Sequence, residues 1–335
     1  MSSASGLPEP VLVTGGAGFI GRHLVNRLLE MGVATAVFDV PAARPQPGWK
    51  GRARLLAGDV GQAGDVAAAM KGIGTVFHCA AVVSDWAPQA DYERITLGGS
   101  RNVFEEAVSN GTRVLLLSSF AVYGDQVVRA VLKEDLLPGK PLGMYGRYKQ
   151  QQEQMALRYQ RDQGMALTIV RPSKVYGPAS SQWLHEVARN LLAGRPVLIN
   201  GGNFNPALVY VENLVEILIL AAARGQPTGR VYNGYDGTDV TWRRYCTDLA
   251  RIVGAPPPRA MPGWLAHGIA MAAPPLWRIL GKQTRPLMTG DSLTNLMTDY
   301  KVSMDRVCGE LGFTPRISYE ESLAKIAAYW AALRQ

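Results

Sequence analysis

Two residues with complementary proton chemistry stand four apart in "MYGRYK", residues 144–149, at the start of a helix-compatible run. On a helix Tyr145 and Lys149 project from one face. A free phenol titrates near pH 10, and a neighbouring ammonium favours the phenolate and lowers that value. The pair can therefore move a phenol toward the range useful for proton transfer. An ordinary i,i+4 contact on a helix surface uses the same spacing. The rest of the chain has to decide between the two.

A second stretch, "VTGGAGFIG" at 13–21, follows an apolar strand-like run and opens a helix-like one. Gly15, Gly18 and Gly21 recur every third residue. Glycine permits a tight turn there, and backbone N–H groups at a helix start attract a pyrophosphate. Asp39 follows at the end of the next strand-like run, where a carboxylate can bond adenosine ribose hydroxyls and repel a 2′-phosphate. NAD is thus expected over NADP, although Arg44 lies close by in sequence. A third stretch, "LLLSSFAVYG" at 115–124, ends a strand with two hydroxyls, Ser118 and Ser119. The carboxyl ends of parallel strands face the ligand crevice in such folds, while a plain Ser-Ser turn reads the same in isolation.

These residues need a scaffold, and the chain supplies one. "VLVTG", "ATAVFDV", "ARLLAGD", "TVFHCA", "RVLLLSS" and "LTIVRP" are continuously apolar rather than alternating, as buried parallel strands are. Helix-compatible segments at 18–31, 61–71, 90–109 and 145–163 fall between them. Such alternation predicts an α/β fold: a Rossmann-type doubly wound parallel sheet with a smaller C-terminal substrate lobe. Residues 1–173 are expected to form the dinucleotide-binding domain, with 207–235 returning to it. Residues 174–206 and 236–335 are left for the substrate lobe. The run at 207–223 reads as a strand feeding a buried helix, and a last helix is expected at 319–333.

Bulk properties narrow the function class. A chain of 335 residues, 47% apolar with 36 glycines and 21 prolines, suits a globular enzyme rich in turns. Cys79, Cys246 and Cys308 are odd in number and far apart, which argues for a reducing compartment and a cytoplasmic protein. Four scattered histidines offer no metal cluster. The opening "MSSASGLPEP" lacks the basic start and apolar stretch of a signal peptide. The net charge of +8 is spread along the chain without a dense basic run. It fits anionic small ligands, or loose peripheral attraction to an acidic membrane, better than nucleic acid.

The motifs in order, "TGGAGFIG", "GDV" (58–60), "HCAA" (78–81), "SSFAVYG", "YGRYK", "RPSKVYGP" (171–178) and "LGFTPRISYEESL" (311–323), resemble the extended short-chain dehydrogenases/reductases over nearly the whole chain. The resemblance implies that Ser119, Tyr145 and Lys149 are catalytic, with Tyr145 as acid/base. Lys149 would both tune Tyr145 and hold the nicotinamide ribose. It also implies cofactor contacts from Phe19, Ile20, Asp59 (toward the adenine amine), Val60, Ala80, Ala81, Val82, Pro172 and Val175, besides the glycines and Asp39. A homodimer through the helices at 90–109 and 145–163 is usual in the family. Thr96 stands where asparagine is usual in "ITLGGSRNV", which puts the role of that amide in question.

Two further departures bear on substrate. Members acting on nucleotide sugars usually carry asparagine before "VYGP" and arginine before the strand leading to "VDD"; here Lys174 and Pro206 stand at or near those places. "YVEN", "AAVVSDW" and "RPLMTGDSL" resemble instead the branch of 3β-hydroxysteroid dehydrogenases and 2-alkyl-3-oxoalkanoate reductases. The expected activity is alcohol–ketone interconversion on a hydrophobic substrate; the alternative is a nucleotide-sugar epimerase or dehydratase. A redox-sensing module without catalysis would be expected to lose Tyr145 or Lys149. Finally, segment 261–288 is apolar and ends in Arg278, Lys282 and Arg285. It is expected to break at Pro274-Pro275 into two short helices, and to roof the substrate pocket with Trp264 and Trp277.

Overall fold

A computed structural model describes residues 6–84, 86–280 and 288–334. The first five residues of the polar opening stretch, and Lys282, Arg285 and Leu287 of the apolar segment, lie outside the described residues. The six apolar runs form strands β1 (Val11–Thr14), β2 (Thr35–Asp39), β3 (Arg54–Ala57), β4 (Thr75–His78), β5 (Arg113–Leu117) and β6 (Leu167–Pro172). Four short strands follow, β7 (Lys174–Tyr176), β8 (Pro196–Ile199), β9 (Leu208–Tyr210) and β11 (Arg259–Met261), with β10 (Thr228–Gly234) between the last two.

The main sheet has seven strands in the order β10-β6-β5-β4-β1-β2-β3, and every pairing is parallel. The order reverses between β1 and β4, where the crevice of a doubly wound sheet opens. β1, β4, β5 and β6 are almost wholly buried, as continuous apolar runs require when helices cover both faces. β3 departs from the expected burial. It is the sheet edge, and Leu55 is 43% exposed.

Helices Phe19–Glu30, Ala63–Met70, Gly99–Asn110 and Met144–Gln163 lie where the sequence predicts them. The third is preceded by a π-helical turn over Tyr92–Gly98. β9 runs directly into the buried helix Val211–Arg224, and the last helix spans Tyr319–Ala332. That last helix starts with a reciprocal Ser318–Glu321 capping box. Outside the main sheet, β7 pairs with β9 and β8 with β11, both parallel.

The apolar segment differs from expectation. One helix runs through Gly263–Ile279 with both prolines inside it. Proline's fixed φ is itself helical, and the helix continues across both prolines although each lacks a backbone N–H to donate. The helix turns Ala266 and Ala270 inward and leaves Trp264, Met271 and Ile279 outward. Trp264 is 76% exposed and does not roof a pocket. No helix among the described residues is long and apolar enough to cross a membrane.

Candidate active site

The Gly15–Gly21 loop joins β1 to its helix through contacts that leave no room for side chains. A Cβ at Gly21 would meet the Gly15 carbonyl at 2.3 Å, so only glycine lets the helix start this close to the turn. Gly15 itself has φ +65 and faces the Ala80 backbone, which a Cβ would meet at 3.0 Å. Asp39, at the end of β2, closes the loop from the far side. Its carboxylate accepts the Ala17 N–H at 2.9 Å and the Val40 N–H at 2.8 Å. Asp59 accepts the Gly61 N–H at 2.8 Å and is paired with Arg94.

The helix Met144–Gln163 brings the Tyr145–Lys149 pair to the ends of β5 and β6. Gly146 makes this approach feasible, since a Cβ there would lie 3.0 Å from the Ala121 carbonyl. Ser119 sits just past β5, where its Oγ accepts the Ala121 N–H at 3.1 Å and is hydrogen-bonded to Tyr145. Burial pushes the Tyr145 phenol up from its ordinary value, and the Ser119 bond pulls it down. Lys149 turns toward the sheet. It donates to the Leu117 carbonyl at 2.9 Å and to Gln152 Oε1 at 2.9 Å. Its pKa is drawn down to about 8, chiefly by burial, with Glu153 opposing.

Behind Lys149 lies a buried polar chain whose proton positions follow from counting donors. Ser100 Oγ donates to the Thr96 carbonyl at 2.5 Å, so it can only accept from Gln152 Nε2 at 2.7 Å and from His78 Nε2 at 2.9 Å. His78 is then the Nε2–H tautomer, and its Nδ1 accepts from Thr14 Oγ1 at 2.8 Å. Burial, together with the Lys149 charge, holds the His78 pKa down to about 3, so the ring is neutral. A side-chain amide is a poor proton carrier, so the chain orients Lys149 rather than conducting protons to it. One turn on, Glu153 forms a buried two-point ion pair with Arg171, with N–O distances of 3.0 and 2.8 Å.

All the residues singled out above for catalysis or cofactor contact, save Val82, line one cavity of about 740 Å³. Val82 donates its N–H to Thr96 Oγ1 at 3.1 Å, and Val83 lines the cavity in its stead. Thr96 thus holds the loop after β4, a task its hydroxyl can do without an amide. Arg44 is exposed and lies outside the cavity lining. Of residues 261–288 only Met288 lines the cavity among the described residues, and Trp277 does not. The wall beyond Tyr145 comes from elsewhere: Trp183, Val187, Val197, Trp242, Leu296 and Tyr300. Sequence reading missed these because they come from separate elements with no shared motif. It also missed Gln152, Ser100 and His78 as partners of Lys149.

The arrangement suits a nucleotide cofactor. A side-chain-free cradle opens on the cavity at Gly15 and Gly18, an acid stands at the end of β2, and the buried Ser118 hydroxyl on the same wall has no hydrogen-bond partner in the described structure. A phenol bonded to a serine hydroxyl on that cavity can give or take a proton. No group of three or more potential metal ligands occurs among the described residues.

Comparison with known proteins agrees with this geometry. The chain is 28% identical to a 3-beta-hydroxysteroid dehydrogenase of Mycolicibacterium neoaurum, covering 96% of this chain and 92% of the relative. It is 27% identical to a 2-alkyl-3-oxoalkanoate reductase of Stenotrophomonas maltophilia, covering 96% and 99%. Among solved structures, MoeE5 in complex with UDP-glucuronic acid and NAD superposes with a TM-score of 0.75 at 28% identity, covering 98% of this chain and 100% of the other. The fold is shared too with a dTDP-glucose 4,6-dehydratase from Streptomyces venezuelae, at TM-score 0.78 and 24% identity over 97% and 98% of the chains. Residues 11–233, which hold the glycine loop, the tyrosine–lysine helix and the main sheet up to the last residue but one of β10, match one family model, and the chain belongs to the NAD dependent epimerase/dehydratase family.

Proposed function

We propose that this protein is an NAD-dependent oxidoreductase that interconverts a secondary alcohol and a ketone on a hydrophobic substrate. The observation that carries the reading is a contact between two departures from the nucleotide-sugar pattern. β7 and β9 pair with Lys174 opposite Leu208, and Lys174 Nζ donates to the Pro206 carbonyl at 2.9 Å. Places that elsewhere serve a sugar diphosphate here bond each other, beside a wall rich in Trp183, Trp242 and Leu296. Such a wall suits an apolar body. The steroid and oxoalkanoate relatives point the same way.

In this reading the Gly15–Gly21 loop receives the pyrophosphate, Asp39 the adenosine ribose and Asp59 the adenine side. Asp39 keeps lone pairs beyond its two backbone bonds, and its charge disfavours NADP. The bound nicotinamide supplies the hydride acceptor or donor. Tyr145 takes the proton of a substrate hydroxyl, or gives it to a carbonyl oxygen, from its bond with Ser119. Lys149, fixed by Leu117 and Gln152, has one N–H left for the ribose and keeps positive charge near the phenol. Substrate and acid/base are thereby held within reach of each other.

The alternative, a nucleotide-sugar epimerase or dehydratase, is supported by the UDP-glucuronic acid and dTDP-glucose neighbours. A screen of hydroxysteroids, 3-hydroxy-2-alkylalkanoates and UDP-sugars with NAD, read at the NADH band, separates the two. Turnover of an apolar alcohol is the expected result; turnover of UDP-sugars alone overturns the reading. We further infer a homodimer through helices Gly99–Asn110 and Met144–Gln163, checked by light scattering. The outward apolar residues of helix Gly263–Ile279 support peripheral contact with an acidic membrane.

A further inference from the structure

Lys174 is the least expected charge in the cavity wall. The residue is 8% exposed, and burial drives its pKa well below the ordinary lysine value. Its Nζ donates to the Pro206 carbonyl and sits 3.4 Å from the centroid of the Tyr300 ring, with the Trp183 ring at 5.9 Å. No carboxylate among the described residues is paired with it. The other buried cations behave otherwise: Arg171 has Glu153 at 2.8 Å, and Lys149 has Glu153 as its largest opposing influence. Without a counter-charge, burial favours the neutral amine, and an anion bound beside Nζ would restore the ammonium.

Lys174 lines the same cavity as Tyr145, Trp183 and Tyr300. Of its three donors one is spent on Pro206 and one faces an aromatic ring, which leaves one with no acceptor among the described residues. We propose that Lys174 is the anion-recognising residue of the substrate pocket, and that the substrate is an apolar secondary alcohol or ketone bearing a single carboxylate. A single amine, protonated as the anion binds, balances one charge, whereas a diphosphate brings two and needs further donors. The aromatic rings around Nζ exclude water from the pair and strengthen it. This assignment rests on the alcohol–ketone reading above and adds to it the substrate's charge.

The test compares a long-chain 3-hydroxy acid with its methyl ester, oxidised with NAD by the wild type and by Lys174→Met. The wild type should favour the acid by about tenfold or more in kcat/KM, and the variant should lose most of that ratio, chiefly through KM. Inhibition of the wild type supplies a check independent of the variant's folding: a medium-chain carboxylate should compete better than the alcohol of the same length. Equal use of acid and ester, equal inhibition, or an unchanged ratio in the variant overturns the assignment while leaving the alcohol–ketone reading in place. Absence of turnover with acid, ester and hydroxysteroid alike, beside turnover of UDP-sugars, overturns both.

Discussion

Lowering the pH from 7 to 5 should destabilise this protein through one buried ring. His78 is bonded on both nitrogens, by Thr14 and Ser100, and its folded-state pKa is about 3. In the unfolded chain a histidine titrates near 6.5. Between those values the unfolded state binds a proton that the folded state refuses, so stability is intact above about pH 6.5 and falls as the pH drops toward 3. For a single site with these two values the loss between pH 7 and pH 5 is about 2 kcal/mol. The interval from pH 7 to pH 5 lies above the ordinary carboxylate values. His23 and His185 also have lowered pKa values and add a slope of their own. The comparison is therefore between wild type and His78→Gln, which keeps a donor and an acceptor but cannot titrate. Urea unfolding at pH 7 and pH 5 should show the variant less stable at neutral pH but losing about 2 kcal/mol less on acidification. Equal losses in the two proteins would refute the neutral, doubly bonded ring, and with it the proton arrangement deduced for the Ser100–Gln152–Lys149 chain.

Four further outcomes follow from the site. Tyr145→Phe should lower kcat by about 10²–10⁴-fold with little change in NAD affinity measured by fluorescence titration. Gln152→Leu removes an acceptor from a buried ammonium, which is worth about 1.5–3 kcal/mol, and should lower the pKa of Lys149 from about 8. The alkaline limb of the kcat/KM profile should then shift to lower pH, whereas a purely structural defect would lower activity without moving it. Asp39→Ala should narrow an NAD over NADP preference of about tenfold or more, measured as kcat/KM for each cofactor. Trp183→Ala should raise KM for an apolar substrate while Trp264→Ala leaves it unchanged and weakens co-sedimentation with phosphatidylglycerol vesicles.

What could be read in advance was whatever depends on near neighbours in sequence. The Gly15–Gly21 spacing, the apolar runs of β1 to β6, and Tyr145 one helical turn before Lys149 are all local patterns. The partners of those residues are not local. Gln152, Ser100, His78 and Thr14 come from two helices and two strands, and a serine or glutamine on a helix carries no mark of what it will face. Lys174 and Pro206 were legible as departures, yet their contact depends on the pairing of β7 with β9, which no short-range signal encodes. Local rules also misled where they stood alone. Pro274-Pro275 suggested a break, and the helix carries on; Trp264 suggested a lid, and it faces outward.

The seventh strand of the main sheet arrives late. The chain leaves the sheet after Pro172, builds the β7–β9 pair, strand β8 and a buried helix, and comes back as β10 to lie beside β6. Cofactor cradle and substrate wall are consequently interwoven along the polypeptide rather than arranged end to end. A fragment ending near Pro172 would present β6 as an open, apolar edge, the kind of surface on which chains aggregate. Limited proteolysis between β7 and β9 should accordingly leave two pieces that stay associated, and attempts to express the nucleotide-binding half as a contiguous truncation should yield insoluble material. Grafting a different substrate wall onto this scaffold would require exchanging several separate stretches at once, because the seam between the two functions is crossed more than once by the same chain.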